Sequence, residues 1–452
     1  MKGLIIGGTH SGCGKTTVAL SIISGLTRRG LTVQPFKAGP DYIDAGLHGL
    51  CAGRTSINLD QWMMERQMLL WSFQSGSAGA DLSLVEGVMG LFDGGALTAG
   101  LSGILGLPVV LVIDASSMAE SVGALVYGFK KYLEKTVGQD TPGLKGVILN
   151  RVSSERHLRM LKEAISEVDV LGYIPKDEVI KIEHRHLGLK TSEEMPLSVE
   201  QIERLSEIAE RYIDLDRVLE LSKDVRPLRE VAPPVDSDVL RGLKVACARD
   251  RAFSFYYYDN LRLLALAGAE LSFFSPLQDV EPPEADFYYI GGGYPELYAE
   301  GLSKNTSMVS AIRQLAEEGR PIYAECGGFM LLTKGIFHTD RKFYPMAGVF
   351  PFETEMTTKR VALGYREVLL KENCPIGIRG NTYRGHEFHY SRLRDKNIEM
   401  KNIYTTRDRW SETLSTGGFL YKNCLGSYVH LHFLSNPSGL IEALRSLVSS
   451  TS

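Results

Sequence analysis

The sequence predicts two α/β units in tandem, the first built on a parallel sheet with flanking helices. Three observations carry this reading. Short apolar runs alternate with helical patterns along the chain, which implies βαβ units with right-handed crossovers. At 452 residues the chain is too long for one ordinary domain. Arg226-Pro-Leu-Arg-Glu-Val-Ala-Pro-Pro-Val-Asp-Ser-Asp238 has prolines and charges without periodicity and reads as a linker. The expected division is therefore 1–225, a linker at 226–240, and 241–452.

Composition narrows the function. Apolar residues make up 44% and charged residues 23%, which suits soluble α/β domains with sizeable cores. A net charge of −4 gives no reason to expect nucleic acid as a partner. No stretch approaches the ~20 consecutive apolar residues of a membrane-spanning helix, so no membrane partner is expected. A strand at the very start leaves no room for a signal peptide ahead of it. The cysteines at 13, 51, 247, 326, 374 and 424 form no C-x-x-C pair. They fit the reduced thiols of a cytoplasmic protein better than a disulfide framework or a zinc site.

The first unit opens with an apolar strand at Leu4–Ile6 and a glycine-rich turn, Gly7-Gly-Thr-His-Ser-Gly-Cys-Gly-Lys-Thr-Thr17. Val18, Ala19, Ile22, Ile23 and Leu26 then recur at helical spacing. Strand, glycine loop and helix are the parts of a phosphate cradle, in which backbone N–H groups and the helix N-terminus face the anion. Gly8, Thr9, Gly12, Gly14, Lys15, Thr16 and Thr17 form the expected nucleotide-binding loop. Lys15 would reach the terminal phosphates, and Thr16 would ligate magnesium. The strict pattern has glycine five residues before Gly14, where this chain has Thr9; its glycine is Gly8.

A second strand, Leu31–Phe36, leads into Lys37-Ala-Gly-Pro-Asp-Tyr-Ile-Asp44, which sets a lysine and two carboxylates at a strand's end. In an open parallel sheet that edge is where ligands bind. The strand at 81–85 ends in Glu86, an acidic cap downstream of a phosphate loop and so a candidate magnesium site. Further strands are expected at 108–113, 144–149 and 168–173. Residues 197–223 read as one amphipathic helix. Between them His184 and His186, in Glu183-His-Arg-His-Leu-Gly-Leu189, could face an anion or a metal, or be ordinary surface histidines.

The second unit starts with strands at 243–248, 270–274 and 287–290, the last running into Gly291-Gly-Gly-Tyr-Pro-Glu296. Pro321-Ile-Tyr-Ala-Glu-Cys-Gly-Gly-Phe-Met330 then reads as a strand, a sharp turn and a helix from Phe329. That is the pattern of a nucleophile elbow, with Cys326 exposed at the sheet edge and its thiolate favoured by the helix N-terminus. His430, in Gly426-Ser-Tyr-Val-His-Leu-His432, is the expected base, at the end of a short strand. On residue type alone His432, His386 and His389 compete with it. The turn at 291–293 would aim N–H groups at an oxyanion, with Gly292 and Gly293 as donors.

Long motifs now carry a resemblance over essentially the whole chain. The first half resembles the dethiobiotin synthetase-type branch of P-loop enzymes, which share the loop Gly-Thr-x-x-x-x-Gly-Lys-Thr and so account for Thr9. The second half is similar to class I glutamine amidotransferases of the cobyrinic and cobyric acid synthase type. Phe36-Lys-Ala-Gly-Pro-Asp-Tyr-Ile-Asp44, Val85-Glu-Gly-Val-Met-Gly-Leu-Phe-Asp-Gly94, Arg185-His-Leu-Gly-Leu189, Gly292-Gly-Tyr-Pro-Glu296, Glu325-Cys-Gly-Gly328 and Gly385-His-Glu-Phe-His389 resemble the cobyrinate/hydrogenobyrinate a,c-diamide synthase family. The resemblance implies ATP-dependent amidation of a corrinoid's a- and c-carboxylates through an acyl phosphate, with glutamine as the ammonia source and Mg2+ as cofactor.

It also implies roles. Cys326 would be the nucleophile of glutamine hydrolysis and His430 its activator, a dyad with His432 where larger relatives place a glutamate. Asp41, Tyr42, Asp44, Glu86 and Asp93 would lie at the synthetase site, with Thr16, Asp41 and Glu86 on magnesium and the rest, with Lys37, toward the corrinoid and the moving phosphoryl group. Lys37 and Lys15 would stabilise charge on that group. Cobyrinate, ATP and L-glutamine are the implied partners, and a homodimer is compatible. The same motifs serve hydrogenobyrinate or nickel-sirohydrochlorin. A P-loop ATPase switch is the rival from another class, and it leaves Cys326 without a role.

Overall fold

The computed structural model describes residues 2–138, 140–176, 197–223, 225–226, 228–394 and 399–448. His184 and His186 lie outside the described residues. The chain separates into two compact units, one of residues 1–61 and 65–232, the other of 62–64 and 233–452.

In the first unit seven strands form one sheet: β1 (Gly3–Gly8), β2 (Val33–Ala38), β3 (Ile57–Leu59), β4 (Leu82–Glu86), β5 (Val109–Asp114), β6 (Leu144–Val152) and β7 (Asp169–Pro175). Their order is β3-β2-β4-β1-β5-β6-β7, and every pairing is parallel. β1 and β4 are buried along their whole length, as strands covered on both faces must be. Helix α1 (Lys15–Arg28) buries Val18, Ala19, Ile22, Ile23 and Leu26 against Leu4, Ile6, Leu82 and Leu84. Burying each of the larger aliphatic side chains among them contributes about 1.5–3 kcal/mol.

Register decides what this sheet offers. Lys37 of β2 pairs with Glu86 of β4, and Ile6 of β1 pairs with Glu86 on the other side. Residues paired in adjacent parallel strands share a face, so a lysine, a carboxylate and the phosphate loop leave the same edge of the sheet.

The expected helix at 197–223 is two, Val199–Tyr212 and Leu215–Leu221. Ile213 turns extended to bridge Gly172 of β7, and Asp214 caps the second helix through Arg217 N–H. The apolar periodicity runs through the break because both helices bury the same side.

In the second unit β8 (Lys244–Ala248), β9 (Glu270–Phe274), β10 (Phe287–Ile290) and β11 (Ile322–Glu325) are followed by β12 (Gly335–Phe337), β13 (Phe343–Pro345), β14 (Glu353–Met356), β15 (Ala362–Leu370), β16 (Thr382–His389), β17 (Ser391–Leu393), β18 (Tyr404–Arg407), β19 (Thr413–Leu414), β20 (Gly418–Tyr421), β21 (Cys424–Ser427) and β22 (His430–His432). The main sheet runs β20-β21-β11-β10-β8-β9 and is parallel except where β20 meets β21. A second sheet, β19-β18-β15-β16-β22, is antiparallel and ends on the strand that begins with His430.

Candidate active sites

The phosphate loop joins β1 to α1 through two left-handed glycines, Gly12 (φ 83°) and Gly14 (φ 100°). At Gly14 a β-carbon would lie 2.0 Å from Asn150 Nδ2, which itself donates to Cys13 O at 2.9 Å. Only glycine fits there. Arg151 adds a bond to Gly12 O at 3.2 Å and pairs with Asp114. Lys15 Nζ reaches back across the loop to His10 O at 3.3 Å, and burial lowers its pKa. A half-desolvated ammonium is a strong partner for a phosphate oxygen.

Beneath the loop lies a buried polar cluster centred on Glu86, whose side chain has no exposure. Glu86 Oε1 accepts from Thr16 Oγ1 at 2.7 Å and from Lys37 Nζ at 2.9 Å. Glu86 Oε2 lies 2.5 Å from His48 Nε2, and Lys37 also bonds Asp44 Oδ2 at 2.7 Å. Burial works against Glu86's charge, but Lys37 and His48 outweigh it and hold the carboxyl well below its ordinary range. Burial likewise opposes the Lys37 charge, and Asp44, Glu86 and Asp41 together hold it above the ordinary lysine value. Asp44 is raised by burial and by the neighbouring Asp41.

Thus Thr16, Lys37, Asp44 and Glu86 come together, with the charge of Asp41 beside them. Asp41 Oδ1 also caps helix α2 (Tyr42–Ala52), accepting from Ile43 and Asp44 N–H at 3.0 Å. Asp93 is exposed and bonds Gly90 N–H at 2.9 Å, so the contact seen for it orders the loop after β4. Magnesium fits the donor set. It takes few protein ligands and completes its shell with water and phosphate oxygens, which suits one hydroxyl beside one ionised carboxylate. Among the described residues no cluster of three or more histidine, cysteine or acidic side chains could hold a metal by itself.

In the second unit Cys326 follows β11 at φ 47° and ψ −100°, a strained backbone that turns the chain at once into the helix Gly327–Leu332. The helix therefore starts two residues earlier than expected. The thiol also differs from expectation. Cys326 is only 6% exposed, and burial, with the nearby Glu296 and Glu387 carboxylates, pushes it up. At rest it is a thiol, and it needs a base to react.

The glycine turn lies against the elbow: Gly328 N–H donates to Gly291 O at 3.0 Å, and a β-carbon on Gly327 would come within 2.9 Å of Gly293 N. Gly292 N–H, expected to face an oxyanion, is instead bonded to Phe255 O at 3.1 Å in a short antiparallel bridge. The position is also sterically tight. The His430 ring occupies the space a side chain would need, with Cε1 2.2 Å from the β-carbon position.

The four histidines separate by their partners. His389 has Nδ1 2.7 Å from Ser391 O and Nε2 2.9 Å from Glu387 Oε1, so both nitrogens are engaged. His386 Nδ1 is 2.5 Å from Tyr257 Oη, and its ring stacks on His430 at 4.8 Å. His432 is fully buried, and burial pushes it down to about 3. His430 opens β22 rather than ending a strand, and its ring lies against the glycine turn that abuts the elbow. Burial holds its imidazole neutral, the state a base requires.

Sequence reasoning passed over His48, Asn150, Arg151, Glu387 and Glu325. His48 had a usable signal, since it follows Asp44 by four positions on one helix and so shares its face. The others depend on strand register that no local pattern encodes.

Residues 4–189 match the CobQ/CobB/MinD/ParA nucleotide binding domain, and residues 244–438 match the CobB/CobQ-like glutamine amidotransferase domain. The chain is 42% identical to the cobyrinate a,c-diamide synthase of Listeria innocua, over 98% of each chain. It is 43% identical to that of Thermoplasma volcanium, over 96% of this chain and 94% of the relative. Among the described residues no helix is long and apolar enough to cross a membrane.

The clash at Gly292 yields a test of the base. Gly292→Ala should displace the imidazole and slow glutamine hydrolysis roughly 100-fold, the scale of an ångström-sized misplacement. Steady-state glutaminase kinetics check this, and a rate equal to the unaltered protein's would remove His430 from the site.

Proposed function

The chain belongs to the cobyrinate a,c-diamide synthase family, and on that premise we propose how its residues share one reaction. It is a carbon–nitrogen ligase that amidates cobyrinate in cobalamin biosynthesis, using ATP and ammonia from glutamine. The observation that carries the division of labour is the presence in one chain of the Glu86 cluster under a phosphate loop and of Cys326 on an elbow.

A carboxylate does not exchange oxygen for nitrogen unaided, because oxide is a poor leaving group. The first unit removes that obstacle. Lys15 and the loop amides hold ATP, and the γ-phosphoryl passes to a corrinoid side-chain carboxylate, giving an acyl phosphate and ADP. Thr16 and Glu86, with Asp41 close by, would hold magnesium, which supplies positive charge to the β- and γ-phosphates. Lys37 is braced by Asp44 and Glu86, so its charge is fixed in place before the phosphoryl group moves. Tyr42, Asp44 and Asp93 complete the side toward the corrinoid. Ammonia then attacks the acyl carbon, and phosphate leaves.

The second unit makes the ammonia. The Cys326 S–H proton goes to His430 as sulfur attacks the glutamine amide carbon. Gly293 N–H, with the N–H of Gly327 next to the nucleophile, would receive the oxyanion. The imidazolium returns its proton to the leaving amine, and ammonia departs from a thioester that water hydrolyses to glutamate.

Two substitutions separate the half-reactions. Cys326→Ser should abolish glutamine-dependent amidation, by at least roughly 1,000-fold, and leave amidation with free ammonia intact; loss of both contradicts two independent sites. Glu86→Gln should lower amidation from either nitrogen source at least ~100-fold while glutamine hydrolysis persists. An unchanged amidation rate would take Glu86 out of the synthetase site. Amide formation is scored by the mass of the corrinoid product.

A further inference from the structure

The residue before the nucleophile is a carboxylate that the Cys326–His430 dyad leaves without a task. Glu325 ends β11 with no exposed side-chain surface. Its Oε1 accepts from Tyr323 Oη at 2.7 Å and from Leu431 N–H at 2.9 Å, and its Oε2 accepts from Tyr289 Oη at 2.9 Å. The same Oε2 lies 3.8 Å from His430 Nδ1.

The bracing reaches the strand that carries the histidine. Leu431 N–H belongs to β22, and Asn260 Nδ2 ties Tyr289 Oη at 3.2 Å to Leu431 O at 2.8 Å. Glu325 is thus fixed from β10, β11 and β22 at once. Filling this space would be easier with an apolar side chain, since a buried carboxylate is expensive to desolvate. Three donors on two oxygens supply what the ionised form requires and leave Oε2 facing the imidazole. His432 offers no alternative: among the described residues neither of its ring nitrogens has a hydrogen-bond partner.

We propose that Glu325 is the positioning residue of glutamine hydrolysis, accepting a hydrogen bond from His430 Nδ1–H and so leaving Nε2 to take the Cys326 proton. The separation of 3.8 Å closes to a hydrogen bond with a small contraction in the reacting complex, where such contacts commonly tighten. The S–H bond breaks and an N–H bond forms at Nε2; the Nδ1 proton stays on the ring, and Glu325 stabilises the imidazolium without being protonated by it. The Nε2 proton then leaves with the amine. This assignment rests on His430 being the base.

The test is glutamine hydrolysis by Glu325→Gln, His430→Ala and the double variant, with ammonia-dependent amidation and thermal melting measured alongside. Glu325→Gln should lower kcat at least roughly 100-fold and leave KM for glutamine within about threefold. Amidation from free ammonia should be unchanged, and the substitution should add nothing to His430→Ala. A kcat equal to the unaltered protein's, or an additive loss in the double variant, overturns the inference. Should His430→Ala hydrolyse glutamine normally, the base assignment itself falls, a result distinct from failure of Glu325 alone. Should Glu325→Gln melt early, the unaltered protein decides. Nitrogen-15 shifts of histidine-labelled chain, with the His430 signal identified by its loss in His430→Ala, should show the Nδ1–H tautomer; the Nε2–H tautomer overturns the inference.

Discussion

An ionised carboxylate with no access to water costs several kcal/mol unless its partners replace the lost solvation. Glu86 meets that condition through Lys37 from the neighbouring strand, His48 from α2 and Thr16 from the first turn of α1. The four groups come from four elements, so the cluster exists only when the sheet, both helices and the phosphate loop are assembled together. The loop's shape therefore depends on a charge buried beneath it. Removing Glu86 would leave Lys37 leaning on Asp44, and removing Lys37 would leave Glu86 to His48 and Thr16. Such mutual dependence lets the site be fixed before substrate arrives, which is what electrostatic stabilisation of a moving phosphoryl group needs.

The second unit also ends a central strand with a buried carboxylate, but solves the problem differently. Among the described residues Glu325 has no lysine or arginine partner; two phenols and a backbone amide serve it, and burial pushes it up to about 7. Glu86 is pinned as an anion by a permanent positive charge. Glu325 is held by neutral donors, and a positive charge forming on His430 would favour the ionised form that those donors already support. One carboxylate supports a standing electrostatic framework, and the other answers a charge that comes and goes. Around it Cys326 and His430 rest as thiol and neutral imidazole, so the nucleophile is generated at the moment of need.

The phosphate loop, Lys37, Glu86 and Cys326 were legible because each ends or directly follows an apolar strand, and strand ends in a parallel sheet face one edge. Chain order alone thus placed the chemistry. What stayed hidden depends on register and on hydrogen bonds between distant segments. Asn150 props the loop from 137 positions away, and Gly292 spends its N–H on a bridge that no local pattern announces. The exposed thiolate expected at Cys326 failed for a related reason: the glycines that permit an elbow also let neighbouring backbone close over it. The antiparallel sheet that delivers His430 joins the long pair β15 and β16 to strands of two to four residues, and the three-residue β22 is placed by its pairing with β16 rather than by any pattern of its own.

The central claim is that the Glu86 cluster serves carboxylate activation, so ATP is consumed to make an acyl phosphate. Oxygen-18 transfer tests this most directly. With cobyrinate carrying oxygen-18 in its carboxylates, purified protein, ATP, magnesium and glutamine should release inorganic phosphate that contains one labelled oxygen for every amide formed. Unlabelled phosphate accompanying amide formation would contradict the account.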